Sequence, residues 1–317
     1  MFRSMRNAEV ADFGEILAPD QASEPILAKP VRSALLEWLT EIWAADELEA
    51  VNLKSRKRAI FHGAPGTGKT TLAHHLAGRL GLPMLVIRPE RFKTTYVSES
   101  AANLGRMFDC VRALEEPVFL FFDEFDSLAA ARMHGQMNAV GEQDHNHTIN
   151  TLLANLDRYE GFAVAATNFG DRVDPAVWRR FEIHVELALP GDHERRRILE
   201  RYFAPFVLPE PALAALSTAM ETASPALMRS FAENIKRQII VGPKAGWEMS
   251  RDAVISRVLE TVKPHPDLGL PRLWNQGTAD RSLPLFPWPL LQDASSYPPD
   301  GTAADGGSVV PLKRRHP

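Results

Sequence analysis

The sequence predicts an α/β fold: a parallel sheet flanked by helices, followed by a small all-α unit. Short apolar runs alternate with helical stretches up to residue 191, and helices alone follow. Fully apolar strands between helices belong to a parallel sheet, because crossover helices bury both of its faces. The glycine-rich "GAPGTGKT" between the first of these strands and its helix makes the fold that of a P-loop NTPase.

Residues 1–30 read as an irregular N-terminal arm with proline and acidic residues. In "KPVRSALLEWLTEIWAADEL", Val31, Leu35, Leu36, Leu39, Ile42 and Trp43 form a helical stripe. The basic run "KSRKR", Lys54 to Arg58, reads as solvated and leads into the strand "AIFHG". Beyond the P-loop, "PMLVIR" is a strand, "ESAANLGRMFDCVRAL" a helix, and "PVFLFFDE" an apolar strand ending in acid. "HTINTLLANLDRY" is a helix, and "GFAVAATN" and "HVELAL" are strands. The large α/β domain is therefore expected at 31–191.

A helical lid is expected at 192–263. Its helices are "DHERRRILERYFA" with Asp192 as N-cap, "PALAALSTAM", "SPALMRSFAENIKRQII" and "SRDAVISRVLETV". Ser224 and Ser250 cap the last two, and Pro225 takes a first helical position. Residues 264–317 read as a Pro-rich tail, mostly disordered, with local docking open to "LPRLW" and "LPLFPWPLL".

The 317 residues are 45% hydrophobic and 24% charged, with a net charge of -4. No overall basic field draws the chain to nucleic acid or anionic lipid, though a local patch stays open. No run approaches the roughly 18 apolar residues of a membrane span, and the N-terminus lacks the apolar core of a secretory signal. The single cysteine, Cys110, excludes an internal disulfide. With Phe108, Val111 and Leu114 at helical spacing it reads as a buried structural thiol, and a cytoplasmic location fits.

In "GAPGTGKT" the backbone of Gly63, Ala64, Pro65, Gly66, Thr67 and Gly68 can wrap phosphates. Lys69 reaches the β/γ oxygens, the Thr70 hydroxyl holds Mg2+, and the helix start at Thr70 and Thr71 adds a favourable dipole. The strand "VFLFFDE" delivers Asp123 to the sheet edge, where it can hold the magnesium-bound water. Glu124 can polarise a water aimed at the γ-phosphate. A nucleotide kinase has no use for that second acid, so the pair argues for hydrolysis. Asn168 ends the next strand and can orient the attacking water. Arg179 and Arg180 follow in "DPAVWRRFE". They are placed to act in trans, which requires an oligomer with sites between subunits.

Together "GAPGTGKT", "FLFFDEFDSL", "AATN" and "DPAVWRRFE" resemble the AAA branch of the AAA+ ATPases, in the family's order. The "RRFE" ending looks most like the meiotic group, which includes katanin, spastin and the ESCRT-disassembly ATPase. The resemblance covers about Asp12 to Val262. It implies ATP and Mg2+ as cofactors, with Lys69, Thr70 and Asp123 as their ligands. It also implies Glu124 as the hydrolytic acid, Asn168 as the first sensor, Arg179 and Arg180 as arginine fingers, and a ring, usually a hexamer. "SPAL" at Ser224 to Leu227 resembles the family's "SGAD" and makes Ala226 a near-adenine contact. "DFGEI" loosely resembles the family's entrance to the ATPase core, with Ile16 and Leu17 toward adenine.

"TTYVSES", Thr94 to Ser100, aligns with the family's first pore loop. Tyr96 and Val97 would be its grip on an extended polypeptide, with Ser98 in place of the family's glycine. The segment 128–148 stands where the second pore loop would be. It reads as a polar loop or a substrate contact, and "HNH" at His145 to His147 leaves a metal site open. Two functions follow: a remodeller that threads a protein partner, or an ATP-dependent assembly switch or loader that serves an effector or a nucleic-acid complex without threading. A P-loop kinase would leave Glu124, Asn168 and the arginines unexplained.

Overall fold

The computed structural model describes residues 10–88, 99–129, 139–275 and 283–293. These fall into two compact units. One holds most of residues 10–188. The other holds residues 189 onward together with Ile26–Ala28 and Pro65–Thr67.

The first unit is built on a six-stranded sheet in the order β1-β3-β4-β5-β2-β6. The strands are β1 (Gly14–Leu17), β2 (Arg58–His62), β3 (Met84–Ile87), β4 (Phe119–Phe122), β5 (Ala163–Thr167) and β6 (Ile183–Glu186). All neighbours run parallel except β1 and β3. Every residue of "MLVI", "FLFF" and "AVAAT" is buried, as a sheet covered on both faces requires. Helices Glu99–Arg112 and Ala139–Arg158 pack together against it. Phe108, Phe122, Phe125, Tyr159 and Phe181 join the core between them. Cys110 is half-buried at the margin of this core.

The N-terminal arm departs from the irregular expectation. Gly14–Leu17 adds an antiparallel edge strand, with Gly14 opposite Ile87. A Cβ at Gly14 would lie 2.1 Å from the Val86 carbonyl oxygen, so this edge pairing needs glycine. The helix Lys29–Trp43 also differs in its buried face. Leu35, Trp38 and Leu39 are buried, while Leu36 and Trp43 are exposed. Trp38 turns inward because its indole N–H finds the Arg56 carbonyl at 2.8 Å.

"KSRKR" is more than a solvated run. The Arg56 guanidinium and amide N–H both donate to Glu41, and that hydrogen bonding holds the Glu41 carboxyl below its usual range. Lys57 donates to the Glu160 carbonyl at 2.9 Å. The helix expected from "HTINTLL" starts earlier, at Ala139, within the segment expected to be a loop.

The second unit contains four α-helices among its described residues: Asp192–Phe203, Glu210–Ala219, Pro225–Val241 and Arg251–Thr261. The Ser224 hydroxyl accepts from the Leu227 N–H as an N-cap, with Pro225 at the first helical position. Asp192 is not a cap. Gly191 holds that position, and the Asp192 carboxylate accepts from the Ser217 hydroxyl at 2.7 Å.

Part of the tail folds. Leu273, Trp274, Leu283, Phe286, Trp288 and Leu290 are buried in the core of this unit. "LPRLW" and "LPLFPWPLL" thus complete the lid core, whereas residues 276–282 and 294–317 lie outside the described residues. Both indoles are anchored: Trp274 donates to the Val262 carbonyl at 2.7 Å and Trp288 to Met249 at 2.6 Å. The prolines restrict the backbone of these stretches, which lowers the entropy lost on docking. Trp274→Ala is expected to destabilise the lid by about 3–5 kcal/mol, the usual cost of removing a buried large aromatic. Chemical denaturation of the full chain checks this, and a midpoint equal to wild type would show that the segment contributes nothing.

Among the described residues no helix is long and apolar enough to cross a membrane.

Candidate functional site

In the first unit β2 ends directly before Gly63, where the phosphate motif begins, and the helix Lys69–Arg79 follows that motif. Gly63, Gly66 and Gly68 all have positive φ, at 140°, 75° and 99°. A Cβ on Gly63 would lie 2.3 Å from the Leu187 carbonyl oxygen, so the loop cannot leave the sheet there with a larger residue.

Lys69 is buried, at 8% exposure. Its ammonium donates to Gly63 O (2.7 Å), Ala64 O (2.9 Å) and the side-chain oxygen of Asn168 (2.8 Å). An ammonium only donates, so the Asn168 oxygen must face it. Burial pulls the Lys69 amine down to about 8, and the negative charges of Asp123 and Asp126 oppose that shift. Phosphate oxygens can replace these neutral acceptors with charged ones and release Asn168 from the lysine.

The Thr70 hydroxyl lies 3.3 Å from Asp123 Oδ2. Two hard oxygen donors facing each other at a helix N-terminus suit Mg2+, which takes few protein oxygens and keeps several waters. Asp123 Oδ1 accepts from the Glu124 N–H at 3.0 Å, so the carboxylate is held from both sides. Glu124 itself is exposed and sits at φ 47°, a left-handed conformation rare for a side-chain-bearing residue. Phe125 N–H donates to Ala166 O at 2.8 Å and ties this turn to β5.

Strand order explains how Asn168 reaches the loop. β5 lies between β4 and β2, so the residue after it stands between Asp123 and the phosphate loop. Thr167 and Asp126 hold it there and were not anticipated from the sequence. The Thr167 hydroxyl donates to Asp126 at 2.9 Å and accepts from the Phe169 N–H at 3.0 Å. The last acid of "FDEFD" and the threonine of "AATN" were the available signals.

The two arginines differ. Arg179 is exposed, and among the described residues it has no ion-pair partner. Arg180 Nε lies 2.8 Å from Asp157 Oδ1, a close ion pair off the hydrogen-bonding direction. Thr71 is exposed in the first turn of its helix. Tyr96 and Val97 lie outside the described residues, as do the side chains of most of the 128–148 segment. Among the described residues no three His, Cys, Asp or Glu gather as a metal site.

In the second unit, Ala226 N–H donates to Gly66 O at 3.1 Å. A Cβ on Gly66 would meet the Ala226 Cβ at 2.8 Å. Pro65, Gly66, Ser224, Ala226, Asn234 and Lys263 line a cavity of about 450 Å³.

Residues 59–189 match the family described as "ATPase family associated with various cellular activities (AAA)". This stretch is an AAA family ATPase domain. The chain is 38% identical over 177 residues to an uncharacterised AAA family ATPase of Sinorhizobium fredii, covering 54% of this chain and 51% of that protein. It is 38% identical over 163 residues to the ATP-dependent zinc metalloprotease FtsH of Nitrosococcus oceani, covering 49% and 25%. It is 33% identical over 168 residues to the proteasome-activating nucleotidase of Methanothermobacter thermautotrophicus, covering 51% and 40%. The chain thus spans about half the length of the first of these relatives and less of the others.

Proposed function

We propose that the chain hydrolyses ATP in a ring oligomer, with a hexamer as the expected size, and uses that cycle to remodel a protein partner. The convergence of Lys69, Thr70, Asp123 and Asn168 on one point of the sheet edge carries the hydrolytic part. Gly63 to Thr71 would hold the phosphates, and Ala226 is assigned a contact with the base. Thr70 and Asp123 would hold Mg2+, which when bound supplies positive charge against the phosphate oxygens.

Glu124 accepts the proton of the attacking water, and Asn168 holds that water in line once phosphate has displaced it from Lys69. Of the two arginines assigned to the neighbouring subunit's site, Arg179 is the one that reaches it, with Arg180 supporting the segment beside Asp157. The "RRFE" ending supports placing the domain with the meiotic group. A relative named for activating the proteasome supports a protein as the partner.

Tyr96 and Val97 are assigned the grip on that partner. An aromatic side chain offers large contact area at low ordering cost, which suits sequence-tolerant gripping. A Glu124→Gln protein in ATP is first used to retain and identify the partner. Tyr96→Ala is then expected to leave ATP hydrolysis largely intact and to abolish processing of that partner. Processing at the wild-type rate by Tyr96→Ala would overturn the gripping assignment and favour a switch that works without threading.

A further inference from the structure

Three aromatic rings meet in the first unit outside the phosphate site. Trp178 stacks on His184 with ring centroids 4.4 Å apart and planes at 10°. It meets His62 at 5.5 Å and 57°. Each ring belongs to a segment that the site uses. His62 is the last residue of β2, directly before Gly63 of the phosphate loop. Its register partners are Thr167, next to Asn168, and Glu186. Trp178 directly precedes Arg179.

Gly170, two residues after Asn168, completes the cluster. A Cβ there would lie 3.4 Å from the His62 Cβ and 3.5 Å from the Trp178 ring.

The backbone is held as well. His184 Nε2 lies 3.2 Å from the Trp178 carbonyl oxygen. A carbonyl only accepts, so Nε2 carries the proton. Trp178 is thereby fixed by its ring and by its carbonyl, immediately before the exposed Arg179. The helix Pro175–Trp178 is a single turn and cannot fix that direction alone. His184 is exposed, and Trp178 is half-buried where it packs against the core.

We propose that the His62–Trp178–His184 cluster positions Arg179 for the neighbouring subunit's active site, with Trp178 as the positioning residue. The cluster also joins the residue before the phosphate loop to the residue before the arginine through ring contact. This rests on the reading of Arg179 as a finger acting in trans.

The test compares Trp178→Ala, Trp178→Phe and Arg179→Ala, each alone and mixed with Lys69→Ala subunits. Misplacing a group by about 1 Å can cost about 100-fold in rate. Trp178→Ala is therefore expected to lower kcat by about 10- to 100-fold with the KM for ATP unchanged, and Trp178→Phe, which still stacks, to restore most of it. Mixing with Lys69→Ala is expected to revive Trp178→Ala, because the mixed-in subunit presents an intact arginine.

Wild-type kcat in Trp178→Ala would overturn the proposal. So would a loss that mixing fails to relieve while Arg179→Ala is relieved, since the defect would then lie in the subunit's own site. Failure of Arg179→Ala to be relieved would remove the trans reading itself, and the positioning role with it. If Trp178→Ala unfolds, His184→Ala removes the stacking partner and leaves the indole in place. A wild-type kcat in that variant overturns the proposal equally.

Discussion

Arg179→Ala is expected to lower kcat by about 10³- to 10⁵-fold, the range over which an arginine finger acts in phosphoryl transfer. ATP binding should be nearly unchanged, because the phosphate loop of the same subunit is untouched. The structure separates this residue from its neighbour. Arg179 is exposed, whereas Arg180 is held beside Asp157. Asp157 also lies 3.8 Å from Arg58 on β2, so Arg180 joins a structural group. Arg180→Ala is therefore expected to lose less turnover than Arg179→Ala and more of the domain's stability. Steady-state ATP hydrolysis and thermal unfolding of both variants check the ordering. Recovery of Arg179→Ala on mixing with Lys69→Ala checks the trans geometry. A larger loss of kcat in Arg180→Ala would reverse the assignment.

Glu124→Gln is expected to bind ATP, to assemble and to lose about 10²- to 10⁴-fold in kcat, the usual contribution of a general base. The substitution keeps the shape of the side chain. It also keeps the N–H that donates to Asp123, so the metal-side carboxylate should stay in place. Calorimetric titration with ATP and single-turnover hydrolysis separate binding from chemistry. Turnover within a few-fold of wild type would remove Glu124 from the reaction. The φ of 47° supplies a second arm. Glu124→Gly removes the carboxylate and relieves a conformation that costs a side-chain-bearing residue about 1–2 kcal/mol. It is expected to be as inactive as Glu124→Gln but more stable. That combination would mark the backbone at this turn as strained in order to aim the acid.

The pattern of residues carried the sheet, the phosphate loop and the acid pair because these features are local. An apolar run between helices needs burial on both faces, and "FLFF" and "AVAAT" could satisfy that only inside a parallel sheet. A glycine-rich turn between strand and helix fixes its own geometry. Whether "LPRLW" and "LPLFPWPLL" in the tail dock was left open by the sequence, for an equally physical reason. Leu273, Trp274, Phe286 and Trp288 follow neither the helical nor the strand period. Their burial depends on a lid surface assembled from residues far earlier in the chain. The edge strand Gly14–Leu17 was hidden likewise, since four residues acquire strand character only by pairing with β3.

By itself, then, the sequence determined the class of chemistry: a phosphate loop, a metal-side aspartate with an adjacent acid, and a polar residue at the end of another strand. Each is set by a short motif whose backbone form is dictated within a few residues. Only the tertiary structure decided which groups act together. Strand order put Asn168 against Lys69, and packing gave Arg180 to Asp157 while leaving Arg179 exposed. It also brought Trp178, next to the finger, against His62 at the start of the phosphate loop. These are contacts between residues far apart in sequence, and the long-range burial that creates them leaves no periodic trace in the chain.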